Sequence, residues 1–523
     1  MAKLFNQVLG NKPKRNVFDL GHERKFSMNM GDLVPILCEE VVPGDTFQMN
    51  TEVMMRLAPM VSPVMHRVNV YTHFFFVPYR LIWDAWKDFI TGGEDGEQEP
   101  VRPYFVLSSG TNYSTLLGRG TLADYLGVTI PEGSLPINHS LNALPFRAYA
   151  TIYNEYYRDQ NLQPKLNVSK SSGAVSGSEG VDIREMQKRN WEKDYFTSAL
   201  PWTQRGGDVS LPLGGTAPVQ VVAGHQQNAL IKLTGLNTPP TPGDANLHTA
   251  AGDSGALNAD YSGVYYDPNG TLETDMSQAD AVTIEELRRA TKLQRWLERN
   301  ARSGSRYIEQ ILAHFGVKSS DARLQRPEYL GGGKSPVVIS EVLQTSSTDT
   351  ETPQGNMAGH GVSVGNTHKF KKFFEEHGYV IGIISVLPKT SYLQGTRRHF
   401  YKSDKFDYYW PEFAQLGEQP VYKGELYSDW DDDDQETFGY QSRYAEYKHI
   451  PSSCHGDFKG NLDFWHMSRK FTSEPALNSA FVKADPTHRV FAVTDVEVPK
   501  LYVQIYNDLK AIRPMPYFNV PTL

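Results

Sequence analysis

Four short strings carry residue types that could do chemistry. Gly361-Val362-Ser363-Val364-Gly365 fits the G-x-S-x-G spacing of a serine nucleophile elbow. That elbow needs a buried strand before the serine and a helix after it, so that the hydroxyl is held exposed at a strained turn. Here Thr352-Pro353-Gln354-Gly355-Asn356 precedes it, and the string reads as a flexible glycine loop. Gly331-Gly332-Gly333-Lys334-Ser335 is like the end of a phosphate-binding loop. The first glycine that such a loop requires is Glu328, and Pro336-Val337-Val338-Ile339 downstream reads as a strand, so a plain glycine turn is expected. Asp429, Asp431 and Asp433 alternate as in a calcium loop, but Asp434 stands where the glycine belongs and Tyr440 where the glutamate belongs. The segment reads as an acidic solvated turn or as an interface patch that pairs with arginines, with a looser cation site as the third reading. His449, His455 and His466 fall near one another without the i, i+4 spacing of helical metal ligands and read as structural. No catalytic group, no cofactor and no metal site is assigned.

Charge offers more. Residues 1–27 carry Lys3, Lys12, Lys14, Arg15, Arg24 and Lys25 against Asp19 and Glu23. Apolar residues are too sparse there for a core, so this is expected to be a basic arm, extended over a nucleic acid or a neighbouring subunit, with a merely solvated tail as the competing reading. A helix opens at Thr283, where Thr283 and Glu286 have capping-box spacing. Ile284, Leu287, Leu293 and Leu297 form its expected buried stripe. Arg288, Lys292, Arg295, Arg299, Arg302 and Arg306 recur at steps of three and four, which keeps six cations on one face. Such a face suits a phosphate backbone, a protein interface or plain solvent.

The elements that position these groups are mostly strands. From Asp45 to Leu57, Phe47, Met49, Thr51, Val53, Met55 and Leu57 point one way and Gln48, Asn50, Glu52 and Arg56 the other, with Met54 out of pattern. Arg67–Val77 is apolar on both faces, as a strand covered on both sides is. Tyr379–Leu387 is a buried run, Phe438–Tyr447 places aromatics every few residues, and Arg489–Val498 alternates. Helices are expected at Leu81–Ile90 and Phe146–Gln160. The 523 residues include 43 Gly and 32 Pro, and aromatics make up 12%. That composition favours short strands joined by long loops.

Residues 203–280 differ in kind. They hold two basic residues, Arg205 and Lys232, against eight acidic ones, and so supply most of the net charge of −8. With 11 Gly and 6 Pro they cannot pack a large core of their own, and they read as a surface excursion with a short strand near Val219–Val222. Two cysteines exclude a disulfide framework and Fe–S clusters. No apolar run is long enough to span a membrane, and the N-terminus lacks the apolar core of a signal peptide, so folding in a reducing cytoplasm is expected. Strong strands near both ends, with no strand–helix alternation, imply a mainly β fold: an eight-stranded antiparallel jelly-roll sandwich with long loop insertions and a few helices. Residues 28–202 and 281–523 make the core, 1–27 the arm, and 203–280 the insertion.

Longer strings resemble one family. They are Arg15-Asn16-Val17-Phe18-Asp19-Leu20, the stretch from Gly44-Asp45 to Ala58-Pro59-Met60, and His73-Phe74-Phe75-Phe76-Val77-Pro78 with Arg80-Leu81-Ile82-Trp83. Leu287 to Ile311, Arg326-Pro327-Glu328-Tyr329-Leu330-Gly331-Gly332, and Ser391-Tyr392 with Gln394-Gly395 continue the match. The chain resembles the major capsid protein of gokushoviruses, the small icosahedral single-stranded DNA phages of the microvirus family. The resemblance implies a non-enzymatic subunit of a T=1 shell around a circular single-stranded DNA genome, found in the virion and assembled in the bacterial cytoplasm. It implies work with an internal scaffolding protein, a small basic DNA-packaging protein and a DNA pilot protein. It also implies a threefold protrusion that meets a host-surface receptor, a glycan being one candidate. The insertion is the natural protrusion, with Asn237, Asp244, His248, Asp253, Tyr261 and Tyr265 as candidate host-contact residues. The competing reading is a lectin-like carbohydrate-binding jelly roll.

Overall fold

The structure is a computed structural model. It describes residues 14–95, 97–207, 284–303, 313–314, 325–343, 357–366, 369–495 and 497–518, together with the backbone of six short strands between 219 and 274. The chain divides into two compact units, residues 1–203 with 304–523, and Gln204–Ser303.

The first unit is an antiparallel sandwich. Its strands are β1 (Asn16–Asp19), β2 (His22–Met28), β3 (Val34–Val41), β4 (Thr46–Leu57), β5 (Val68–Pro78), β6 (Glu328–Pro336), β7 (Val338–Leu343), β8 (Met357–Asn366), β9 (Phe370–Phe373), β10 (Gly378–Pro388) and β11 (Leu501–Arg513). One sheet runs β1/β2–β11–β4–β8/β9–β7 and the other β6–β5–β10–β3. From β2 to β5, and again from β9 to β11, successive strands cross from one sheet to the other, as on a jelly-roll path. The two sheets hold seven strands and four where eight were expected, in part because both partners along the β11–β4 pair are broken. β1 and β2 share the outer edge of β11, and β8 and β9 share that of β4. The β4–β11 ladder runs from Thr46↔Ile512 to Leu57↔Leu501, so β11 lies inside its sheet, between β1/β2 and the central strand β4.

The alternation of β4 holds in space: Phe47, Met49, Val53, Met55 and Leu57 are buried, and Glu52, Met54 and Arg56 are exposed. They meet Val503, Ile505 and Leu509 of β11 and Ile36, Phe74, Phe76, Val380 and Ile384 of the opposite sheet in one core. Each such side chain contributes about 1.5–3 kcal/mol on burial. β5 and β10 are buried on both faces, as their unbroken apolar runs require. Their second face packs against Trp83 and the helix α1 (Leu144–Ile152), through Phe146, Tyr149 and Ile152. α1 is shorter than Phe146–Gln160: after Ile152 the chain widens into a π-turn, Tyr153–Tyr157, which sets the Tyr157 hydroxyl 2.8 Å from His73 Nδ1.

Three expectations need correcting. The described residues of Arg489–Val498 form no strand; Val490 and Phe491 are both buried there, and the Ala492 N–H donates to the Pro59 carbonyl in a loop crossing. The strand that closes the sheet is β11. Gly361–Gly365 is no loop but lies in the second half of β8, and Gly331–Ser335 is no turn but part of β6, with a bulge between Tyr329 and Gly331. The glycines there serve close approach: a Cβ on Gly332 would fall 2.3 Å from the Thr72 carbonyl oxygen.

The second unit is built from nested antiparallel pairs. Val219–Val221 pairs Leu272–Thr274, Lys232–Leu233 pairs Val264–Tyr265, and Leu247–Thr249 pairs Leu257–Ala259. The chain thus leaves and returns along itself before entering α2 (Ile284–Ser303).

Candidate functional site

Of the arm cations, Lys3 and Lys12 lie outside the described residues. Lys14 is exposed. Arg15 donates through Nη2 to the Gly44 carbonyl at 2.7 Å and lies 5.2 Å from the centre of the Phe373 ring. Arg24 sits in β2 and donates to the Tyr125 carbonyl at 2.6 Å, and burial lowers its pKa. Lys25 pairs with Glu23 at 2.9 Å in solvent. Two of these cations therefore fasten the chain to the sandwich, and two face water.

On α2 the side chains of Arg288, Lys292, Arg295, Arg299 and Arg302 are all exposed, and Arg306 lies outside the described residues. The apolar stripe is not sunk as expected: Leu287 and Leu293 are each 47% exposed, and burial falls on Asn300 and Ala301 in the last turns. A helix this rich in charge is held instead by contacts along its own surface, such as Gln294 Nε2 to Glu298 Oε1 at 3.0 Å. Among the insertion candidates, His248 and Tyr265 fall in short strands, and Asn237, Asp244, Asp253 and Tyr261 lie outside the described residues.

The chemistry-like strings resolve into structure. Ser363 is buried in β8, and its hydroxyl donates to the Pro336 carbonyl at 2.9 Å. Lys334 reaches Glu192 at 3.3 Å. Carboxylate oxygens of Asp429, Asp431 and Asp434 lie within 4.8 Å of one another. Asp433, the expected third member, instead gives its backbone N–H to Asp431 at 3.0 Å. Asp434 is buried and accepts from Ser428 Oγ at 2.7 Å and the Tyr401 hydroxyl at 3.0 Å. His466 is buried, with its Nε2 2.7 Å from the Phe458 carbonyl oxygen. Burial pushes the Cys38 thiol up to about 12, so it is inert at neutral pH.

A feature with no counterpart in these strings lies in the 389–500 connection between β10 and β11. A small core joins its Tyr392, Val421, Leu426, Phe438 and Phe481 to Tyr195 and Phe196 from earlier in the chain. Over it opens a cavity of about 440 Å3, lined in part by Arg397, Arg398, Lys402, Tyr408, Tyr447 and His449. The Lys402 side chain, 4% exposed, lies 4.2 Å from the Tyr447 ring centre, donates to the Tyr447 hydroxyl at 2.8 Å, and pairs with Glu446 at 3.5 Å. Arg398 donates to Glu425 at 2.9 Å and stacks on Tyr422. Burial pushes the Glu425 carboxyl up despite Arg398. Of the lining residues Tyr408, Tyr447, Ile450, Arg397 and His399 are exposed, and so are Phe400, Lys405 and Lys448, which lie near them in sequence. The available signal is compositional: residues 397–410 hold six aromatics and four Lys or Arg, with no periodicity.

Nothing in this arrangement brings a nucleophile, a base and an oxyanion site together among the described residues; it offers surfaces. No helix among them is long and apolar enough to cross a membrane. A family described as capsid protein (F protein) matches residues 6–523. Capsid protein VP1 of Bdellovibrio phage phiMH2K is 38% identical over 99% of this chain and 97% of its own. Capsid protein VP1 of Chlamydia phage 1 is 36% identical over 100% and 98%, and that of Spiroplasma virus 4 is 32% identical over 99% and 97%.

Proposed function

The chain belongs to the phage capsid protein (F protein) family, and from that premise we propose that its copies close into a T=1 icosahedral shell around a circular single-stranded DNA genome. Its capsid role is structural and non-enzymatic, and it places the protein in the virion. The lectin-like alternative falls, because the whole chain aligns with capsid proteins. One observation carries the shell reading: the family match extends from residue 6 to residue 523 over a jelly roll in which β11 pairs along its length with the central strand β4. A sandwich completed by both chain ends is a rigid brick, and the long connections between its strands are free to meet other copies.

The finer parts of this reading rest on the resemblance and on charge. Exposed Lys14 and the α2 cations suit a phosphate backbone, which needs positive charge and little base recognition. A small basic packaging protein supplies further charge to a shell whose own chain carries −8. The scaffolding and pilot proteins act during assembly in the bacterial cytoplasm. The nested hairpins of the insertion reach toward the host surface.

Electron microscopy with nuclease digestion tests the reading. Uniform closed particles that protect single-stranded DNA are expected. Open sheets, tubes or monomers would overturn the closed shell, and closed particles without single-stranded DNA would overturn the genome part. Deleting residues 235–265 is expected to leave particle yield intact and abolish host attachment; lost particles would make the insertion architectural.

A further inference from the structure

We propose that the aromatic-rimmed cavity of the 389–500 connection is a socket for a second copy of this chain, and that its occupant is the Trp430 loop, Asp429–Asp433, of that copy. The proposal deepens the assembly reading above and rests on it.

The first ground is exposed apolar surface. Trp430 is 74% exposed, Ile450 76% and Phe400 68%, and Tyr408, Trp410 and Tyr447 add to them within about fifty residues of chain. A soluble surface rarely gathers so many large apolar side chains unless a partner covers them. The mixture of Tyr, Trp, Phe and Arg is that of protein interface cores.

The second ground is backbone conformation. Trp430 (φ 62°) and Tyr444 (φ 61°) are the non-glycine residues with left-handed φ among the described residues. Bulky residues avoid that region, and such outliers collect at functional surfaces. Tyr444 sits beneath the rim: its ring faces Tyr409 and Tyr447, and its hydroxyl donates to the Tyr408 carbonyl at 3.2 Å and accepts from the Trp410 N–H. Trp430 is the loop's tip. Its backbone holds an indole out in water, an arrangement that gains stability when a partner buries the ring.

The third ground is charge. Asp429, Asp431, Asp432 and Asp433 are exposed beside Trp430, and residues 424–442 contain no Lys or Arg. No ion pair among the described residues engages those four. At the socket, Glu425 and Glu446 are met by Arg398 and Lys402, and Asp407 accepts the backbone N–H groups of Ser403 and Asp404. Arg397 lines the mouth and Lys405, exposed three residues past Lys402, lies near it in sequence, and no ion pair among the described residues engages either. A volume of about 440 Å3 accepts an indole with its neighbours.

Knob and socket are adjacent: Tyr401 bonds Asp434, and the next residue, Lys402, lines the cavity. An acidic patch beside a basic one is self-complementary across a twofold axis, where each copy gives its Trp430 and receives the other's. Single-stranded DNA also seeks cations and aromatic rings, but four aspartates beside the mouth repel phosphate.

The test uses the full chain. Trp430→Asn removes the indole and keeps a residue that tolerates the left-handed backbone. Asp429→Lys with Asp431→Lys reverses the knob, Arg397→Glu with Lys405→Glu reverses the rim, and a fourth variant combines both reversals. Particle yield by sedimentation, subunit pairing and far-UV circular dichroism are read on each. Trp430→Asn and each reversal are expected to lower yield at least about tenfold with an unchanged spectrum. The combined reversal is expected to restore most of it, which a misfolded chain cannot do. Wild-type yield from Trp430→Asn, or no recovery in the combined variant, overturns the socket. Intact particles that retain less DNA make nucleic acid the occupant and overturn it too. If the unaltered chain forms no particles, the assembly reading itself falls, which separates the two failures.

Discussion

Asn507 Nδ2 donates to the backbone carbonyl of Ile36 at 3.1 Å, from β11 in one sheet to β3 in the other. The same amide accepts from Thr51 Oγ1 of β4 at 3.2 Å and lies 3.2 Å from His22 Nε2 of β2. Asn507 is fully buried, so one side chain links four strands at the heart of the sandwich. Removing it leaves buried partners unpaired and a void. Asn507→Ala is expected to cost about 2–4 kcal/mol, read as a lower urea midpoint with an unchanged slope. Asn507→Asp is expected to be worse at pH 7 than at pH 4, because a buried carboxylate cannot donate to Ile36. Equal stability of Asn507→Ala and the parent would show that the amide is dispensable.

That link is not legible in the sequence, and the reason is physical. Arg489–Val498 alternates and predicts a strand the chain does not form, since its inward set is Val, Ala and Thr with little volume to bury. Leu501–Arg513 alternates as well, but Asn507 interrupts its apolar face, and only the partners waiting in β3 and β4 make that asparagine belong inside. β4, β5 and β10 are legible because their patterns are long and their large residues all meet one core. The cavity of the 389–500 connection is not, because it is built from loops and single 3-10 turns that carry no period. Its Arg398–Glu425 and Lys402–Glu446 contacts join residues 27 and 44 apart in sequence, which spacing cannot announce.

Arg147 and Glu179 make a buried ion pair at 2.8 Å behind the second sheet, with side chains 1% and 8% exposed. Arg147 also donates to the carbonyls of Ile82 and Ser171, and Glu179 accepts the Ser169 N–H. Arg147→Met strands the carboxylate, and Glu179→Leu strands the guanidinium; each is expected to cost about 3–5 kcal/mol. The double variant is expected to cost clearly less than the two added together. Additive losses in urea unfolding would mean that the two charges do not depend on each other.

Among the groups that make stability depend on pH, His73 and Asp32 act in opposite directions. Burial, with the charge of Arg189, lowers His73 to about 4. Its folded pKa is then below the ordinary value near 6.5, so its contribution is full above that pH and is lost as the pH falls toward 4. Burial raises Asp32 to about 6, against Lys188 and the Asn29 N–H. Its folded pKa is above the unfolded one, so its cost is full above pH 6 and disappears as the pH falls to 4. Each shift is worth at most about 3 kcal/mol. On acidification from pH 6.5 to 4, His73→Asn is expected to make melting temperature fall less steeply than in the parent, and Asp32→Asn more steeply. Parallel profiles for all three proteins would remove both assignments.

Among the arm cations, geometry separates genome contact from anchoring. Lys14 has its charge in solvent, whereas Arg24 is committed to the Tyr125 carbonyl. A lysine that neutralises one phosphate of a single strand adds about 0.7 to the slope of log affinity against log salt. Lys14→Gln is therefore expected to weaken genome retention and flatten that slope by about 0.7, with melting unchanged. Arg24→Gln is expected to lower melting and leave the slope alone. On α2, Arg295→Gln with Arg299→Gln is expected to flatten the slope by about 1.4 if both meet phosphate. Nuclease protection of particles across a salt series supplies the measurement. An unchanged slope with full particle yield would make the α2 stripe a solvated face, and an unchanged slope with reduced yield would make it a contact between subunits.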